Sequence, residues 1–340
     1  VGLLPKAHLH LHFTGSMRPA TLLALADKHH LRLPEVLTTS WPPTLSVTDE
    51  RGWFRFQRLY DTARACVRDE ADMRRIVREA AIDDAAEGSR WLEIQVDPTS
   101  YAPFVGGITP ALEIVMDEAR AASQDVGIGV GVIVAANRVR HPLDARTLAR
   151  LAARHAGEGA GEVVGFGLSN DERRGSTAEF APAFDIARGA GLACVPHGGE
   201  LLGAKAVRET LEALNPDRLG HGIRSAEDPG VLAEVVSRGV TLEVCPGSNV
   251  SLGVFKAPGD VPLRQLMEAG ARIALGADDP LLFGSRLNAQ YDTAREVHGL
   301  SDAELAGLAR DSVEGSRAPL SVRTEMFEGI DSWLLSSPTA

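Results

Sequence analysis

Short apolar or β-branched runs separated by amphipathic stretches recur eight times along the 340-residue chain, and this alternation limits the folds open to it. The runs are Ala7–Phe13, Trp91–Asp97, Gly127–Ala135, Val163–Leu168, Gly191–Val195, Arg218–Gly222, Val240–Val244 and Arg272–Leu275. Between them, apolar residues return every three or four positions over Thr109–Ala122, Asp144–Ala156, Glu179–Arg188, Ala204–Ala213 and Glu227–Ser237, the helical period. Gly189, Gly239 and Gly270 stand where a left-handed cap would turn a helix into the next strand. Thr109-Pro110 and Ser301-Asp-Ala-Glu304 read as helix starts, the second as a capping box. Repeated strand–helix units predict a parallel sheet with crossover helices. An open doubly wound sheet competes with a closed barrel. No glycine-rich phosphate fingerprint follows the first strand, and the polar residues of interest stand at the ends of many strands. An open sheet gathers ligands at one switch point, whereas a barrel collects them around its rim. The expected class is therefore α/β, a (β/α)8 TIM barrel. Residues 14–89 read as a helical insertion after strand one that covers the barrel mouth, and the absence of a linker predicts a single domain over 1–340.

Composition narrows the partners. With 35 basic and 46 acidic residues interspersed, the net charge of −11 argues against a nucleic-acid surface. No apolar run is long enough to span a membrane, and the N-terminus reaches charge and histidine too early for a secretory signal. Cys66, Cys194 and Cys245 form neither a disulfide framework nor a Cys-x-x-Cys pair. The expectation is a cytoplasmic protein acting on a small molecule.

Four of the ten histidines lie at strand ends. His10 and His12 alternate with Leu9 and Leu11, which places both imidazoles on one face of the first strand. Read alone, the pair serves equally as a metal site or as a hydrogen-bonded lining of the barrel mouth. His197 closes strand five in Pro-His-Gly-Gly-Glu, His221 closes strand six in Gly-His-Gly, and Asp278-Asp279-Pro280 follows strand eight. Each signal is weak by itself, and their joint placement on one rim is what points to a metal centre. His10, His12, His197 and Asp278 supply three nitrogens and a carboxylate, leaving a position for water, as in a catalytic zinc site. Strand four ends Leu168-Ser169-Asn170-Asp171 without a bridging lysine, so one Zn2+ per chain is expected. Glu200 offers proton management or complements a helix dipole. His221 is a fourth nitrogen ligand, a catalytic group or a core histidine, and Asp279 a hydrogen-bonding neighbour of a ligand.

Five segments, Pro5-Lys-Ala-His-Leu-His-Leu-His12, His197-Gly-Gly-Glu200, Leu219-Gly-His-Gly222, Val244-Cys-Pro246 and Gly276-Ala-Asp-Asp-Pro-Leu281, resemble in order the motifs of the adenosine and adenine deaminase family of zinc-dependent barrel hydrolases. The resemblance spans nearly the whole barrel. It implies zinc on His10, His12, His197 and Asp278, and hydrolytic replacement of the 6-amino group of an adenine nucleoside with release of ammonia. It further implies that Glu200 gives a proton to ring N1, that His221 orients the attacking water, and that Asp279 holds N7. A retired scaffold that binds nucleosides without catalysis is the rival reading; the full set of seven residues argues against it.

Three departures bear on substrate. Where adenosine deaminases typically carry Asp, to meet the ribose 5′-hydroxyl, and adenine deaminases tend to carry Glu, this chain has Thr14 beside Gly15. Asn170 stands where the family commonly has glycine facing N3, and Arg173 and Arg174 follow on the rim. An arginine pair beside a pocket lacking a carboxylate suits a carboxylate-bearing substrate, although rim arginines are commonly just solvated. These features favour a 5′-modified adenosine such as 6-aminodeoxyfutalosine of menaquinone biosynthesis over adenosine itself. Phe54 and Phe56, in the insertion, are expected against the ligand, or else on a buried helix face.

Overall fold

The computed structural model describes residues 1–47 and 49–336, so the expected span of 1–340 runs past it at 48 and 337–340. Eight strands form one sheet in sequence order, every neighbouring pair parallel. They are β1 (Lys6–His12), β2 (Ser89–Val96), β3 (Gly129–Asn137), β4 (Val163–Ser169), β5 (Ala193–Gly198), β6 (Arg218–His221), β7 (Thr241–Val244) and β8 (Arg272–Leu275). Backbone bonds from His12 N to Asp278 O and from Asp278 N to His10 O, both 3.0 Å, join β1 to the chain after β8 and close the barrel. All eight expected strands are present, β8 with the expected bounds and the others with ends moved by at most three residues. The largest shift is at β5, where Gly191 (φ +80°) takes the left-handed turn and the strand continues through His197. Gly189 accordingly ends the helix Ala181–Gly189, whereas Gly239 and Gly270 do adopt the left-handed geometry. The capping box is formed: Ser301 Oγ accepts from Glu304 N at 3.3 Å and Glu304 Oε2 from Ser301 N at 2.7 Å, at the start of Asp302–Gly315.

The insertion folds as α1 (Pro19–Lys28), α2 (Glu50–Arg64) and α3 (Glu70–Ala86). Asp49 caps α2 by accepting from Gly52 N at 2.6 Å. Trp53, Phe56, Gln57, Tyr60 and Arg64 then fall on one helical face and form a wall of the cavity at the barrel mouth.

Strand β1 is not regular. Its register against β2 runs His8↔Leu92 and then Leu11↔Ile94, so β1 carries one extra residue, a bulge. His8 and His10 therefore diverge, although they are two positions apart. His8 Nδ1 meets Asp84 of α3 at 2.8 Å, while His10 Nδ1 meets Glu243 of β7 at 2.7 Å across the barrel.

Beneath the mouth the interior is charged. Arg218 donates to Glu243 Oε1 at 2.6 Å and to Glu93 Oε2 at 2.5 Å, and Glu93 Oε1 also accepts from Trp91 Nε1 at 2.9 Å and Arg317 N at 2.6 Å. All three charged side chains are buried. Removing one partner of such a network strands the others without compensation. Arg218→Met is expected to lower the unfolding free energy by about 3–5 kcal/mol, read by urea denaturation of the metal-free protein.

Candidate active site

His10, His12 and His197 bring their ring nitrogens within 4.8 Å of one another at the C-terminal rim of β1 and β5. Asp278 joins them, with Oδ1 3.3 Å from His12 Nε2 and 3.7 Å from His10 Nε2. The Nε2 atoms of His10 and His197 are buried and have no hydrogen-bond partner, which is costly unless something else binds them. Burial works against ionising Asp278, yet the His12 hydrogen bond and the surrounding imidazoles hold its carboxyl well below the usual range. Burial, reinforced by His10, His221 and His12, pushes His197 well below the ordinary imidazole value, leaving it neutral. A divalent metal requires neutral imidazoles and an ionised carboxylate, the states in which His197 and Asp278 are held, whereas His12, raised against the cost of burial by Asp279 and Asp278, would give up a proton on binding it. Close packing makes the cluster possible: a Cβ at Gly220 would lie 2.6 Å from His197 Cδ2 and 3.0 Å from His10 Cε1.

Two further carboxyls face this cluster. Glu200, buried at the end of β5, lies 3.7 Å from His221 Nε2 and 4.0 Å from His197 Nδ1. Burial, with Asp278, Glu172 and Asp279 nearby, raises its carboxyl well above the ordinary value. Asp279 is raised in the same way by burial and by Asp278, and its Oδ1 has no partner. Both carboxyls are thus inclined to hold a proton. His221 is pushed down to about 3, by burial despite Asp278, and its ring nitrogens are both without partners. Cys245 is buried with its thiol raised well above the ordinary value, which disfavours a thiolate ligand or nucleophile.

A cavity opens on these groups at the mouth of the barrel. His12, Thr14, Phe56, Asn170, His197, Glu200, Asp278 and Asp279 all line it. Gly15 lies behind Asp279, where a Cβ would fall 1.7 Å from Asp279 Oδ1, so only glycine fits. Asn170 has φ +82°, a left-handed conformation that asparagine tolerates better than most residues, and its Oδ1 accepts from Asp171 N at 2.7 Å. The expected arginine and phenylalanine contacts divide differently. Arg173 lines neither this cavity nor its outer extension, because Asp171 at 2.8 Å and the Val47 carbonyl engage its guanidinium above Trp53. Arg174 and Phe54 pack together in the outer extension, with Phe54 55% exposed.

Comparison with known proteins fits this geometry. The family model described as adenosine deaminase matches residues 5–333. A Streptomyces virginiae protein provisionally named adenosine/adenine deaminase is 63% identical over 332 residues, covering 98% of this chain and 97% of its own. This chain belongs to the adenosine/adenine deaminase family. It is a metal-dependent hydrolytic deaminase that releases ammonia. An adenine deaminase from Arthrobacter aurescens has a similar crystal structure (TM-score 0.88, 28% identity, 98% and 99% coverage). So does the Arabidopsis N6-mAMP deaminase (TM-score 0.86, 25% identity, 97% and 98% coverage).

Several residues that shape the deaminase site carry no local sequence signal. Glu172, just after β4, accepts from the backbone N–H groups of Gly199, Glu200, Leu201 and Leu202 at 2.5 to 3.0 Å and so fixes the loop that carries Glu200. Glu243 orients His10, and Arg218 and His10 hold its carboxyl ionised against the cost of burial. His8, through Ala277 N at 3.0 Å, braces the backbone next to Asp278. The arrangement makes His10 dependent on Glu243 as a metal-binding group. Glu243→Gln is expected to weaken zinc affinity about 10- to 100-fold, measured by competition with a chromogenic chelator.

Proposed function

We propose that the deaminase removes the 6-amino group of an adenine nucleoside modified at its 5′ side, with 6-aminodeoxyfutalosine of menaquinone biosynthesis as the favoured substrate. The observation that carries the deamination step is the convergence, on one cavity, of unpartnered metal-donor nitrogens with two carboxyls raised by burial. His10, His12, His197 and Asp278 would hold a divalent ion, Zn2+ being favoured, which when bound would supply activation of a water at neutral pH. Glu200, kept protonated, gives its proton to ring N1, which makes C6 electrophilic. His221 remains neutral and orients the incoming water through a ring nitrogen. Asp279, also protonated, donates to N7, an acceptor that an ionised carboxylate could not serve. Water oxygen bonds C6; one of its protons passes to the amino group, which leaves as ammonia as the C6–N bond breaks, and the other restores the proton that Glu200 gave to N1.

The 5′ modification is supported by the pocket beyond the purine. Thr14 brings a hydroxyl, already hydrogen-bonded to Tyr101 OH at 2.5 Å, rather than a carboxylate to the place where a 5′-hydroxyl would be met. The cavity continues outward past Trp53, Gln57, Asn137 and Asn170 into a second one with Arg64, Arg138, Arg140 and Arg174 on its walls against Asp61 and Asp171. That surplus of cations suits a carboxylate carried on the 5′ side, with Arg174 rather than Arg173 facing it.

Ammonia release by zinc-quantified protein from adenine, adenosine, 5′-methylthioadenosine, adenosine monophosphate and 6-aminodeoxyfutalosine tests both parts. The highest kcat/KM is expected for 6-aminodeoxyfutalosine; preference for adenosine or the monophosphate overturns the 5′ assignment, and release from none overturns the deamination. Glu200→Gln keeps the shape and removes the transferable proton, so it should retain zinc while kcat falls about 100-fold or more. Thr14→Asp should shift the kcat/KM ratio toward adenosine at the expense of the carboxylate-bearing substrate.

A further inference from the structure

The inward row of β2 and its continuation is Trp91, Glu93, Gln95 and Asp97, one residue in two. The lower pair belongs to the buried charge network, since Trp91 Nε1 donates to Glu93. The upper pair lines the catalytic cavity. Gln95 is 2% exposed, and neither Nε2 nor Oε1 has a hydrogen-bond partner among the described residues. Its main chain is held next to a metal-donor residue: Gln95 is in register with His12, and its carbonyl accepts from Phe13 N at 2.8 Å. The amide therefore has a fixed backbone and a side chain with donor and acceptor both unused. Asp97 completes the pair. Its Oδ1 accepts from Thr99 N at 3.0 Å and Thr99 Oγ1 at 2.6 Å, which orients the carboxylate and leaves Oδ2 buried without a partner.

An idle amide and an idle carboxylate oxygen on the same wall form an incomplete hydrogen-bonding set. Unmade hydrogen bonds on buried groups are expensive, so a ligand that makes them is favoured over one that cannot. Glu200 and Asp279 are assigned to N1 and N7 of the purine, so the base leaves this pair unserved. Hydroxyl groups serve it well, because each is both donor and acceptor: one can donate to Asp97 Oδ2 while a neighbour exchanges bonds with the Gln95 amide. We propose that Gln95 and Asp97 form a subsite for the adjacent 2′- and 3′-hydroxyls of the substrate's sugar, so that the enzyme selects a ribonucleoside over the free base. This rests on the adenine-deamination reading above and adds to it two specificity-determining residues. It concerns the sugar ring and is independent of which group the 5′ carbon carries.

The test compares adenosine, 2′,3′-dideoxyadenosine and adenine on zinc-loaded wild-type protein and on the Gln95→Leu and Asp97→Asn variants. Calorimetric binding of inosine and hypoxanthine gives a second readout, and thermal melting confirms that each variant is folded. Gln95→Leu keeps the side-chain bulk and removes both hydrogen-bonding atoms. Wild type is expected to prefer adenosine to dideoxyadenosine by about tenfold or more in kcat/KM. Each variant is expected to lose about tenfold for adenosine and for inosine binding, with dideoxyadenosine, adenine and hypoxanthine changed by less than about twofold. An equal loss for all ligands would make these residues merely structural and overturn the subsite. Unchanged adenosine kinetics, or adenine as the better substrate of wild type, would overturn it while leaving deamination of adenine intact. Ammonia release by wild type from none of the three, and none from 6-aminodeoxyfutalosine, would overturn both readings together.

Discussion

The buried chain Glu93–Arg218–Glu243–His10 ties the base of the barrel to its mouth. One arginine inside a barrel would be prohibitive without compensation, and two carboxylates supply it from opposite sides. Glu243 has a second oxygen to spare, and it uses that oxygen to hold the Nδ1 side of His10. The ring is thereby turned so that Nε2 faces the metal-donor cluster. The same interaction that makes the interior tolerable therefore also sets the tautomer and direction of a metal-binding side chain. A carboxylate held ionised by arginine is better suited to this task than one that competes for a proton.

Above this level, the site depends on backbone conformations that few residues accept. His221 (φ +66°), Asp278 (φ +62°) and Asn170 (φ +82°) are left-handed without being glycine; His221 closes β6, Asn170 stands one residue past β4 and Asp278 three past β8. Such geometry persists only where neighbours over-determine it. At Asp278 the two backbone bonds to β1 do so, because the residue is part of the closure of the barrel. At the end of β5 the Glu172 carboxylate fixes the loop, gathering four consecutive N–H groups and carrying Glu200 toward the cavity. Glu200 then lies buried among other acids, which gives a carboxylic acid able to carry a proton at a site otherwise built to hold a cation.

Much of this was legible from residue order. Period-two and helical patterns placed the strands, and Ser301 with Glu304 marked a helix start, because those signals act over a few residues. The strand-end histidines and aspartates pointed to one rim because a closed barrel brings all its strand ends together. The Arg173–Arg174 pair shows where adjacency in sequence fails. Both follow β4, yet Asp171 takes Arg173 away and only Arg174 faces a cavity. Tyr101, Arg64, Gln95 and Asp97 had no such local mark. Their significance comes from which side chains their neighbours leave unpaired, a property of the assembled wall.

The sequence by itself determined the eight-unit alternation, the closure expected of it, the gathering of strand-end histidines and acids on one rim and the resemblance to the family, since all of these follow from residue types at fixed spacing. Tertiary structure alone decided the aim of the side chains. The bulge in β1 sends His8 outward to Asp84 and His10 inward to Glu243, although alternation by itself would give them one face. The helical face of α2 is both core and cavity wall because the insertion folds over the mouth. Contacts between residues far apart in the chain depend on register and packing, and a one-residue change in register reverses the face that every following side chain presents.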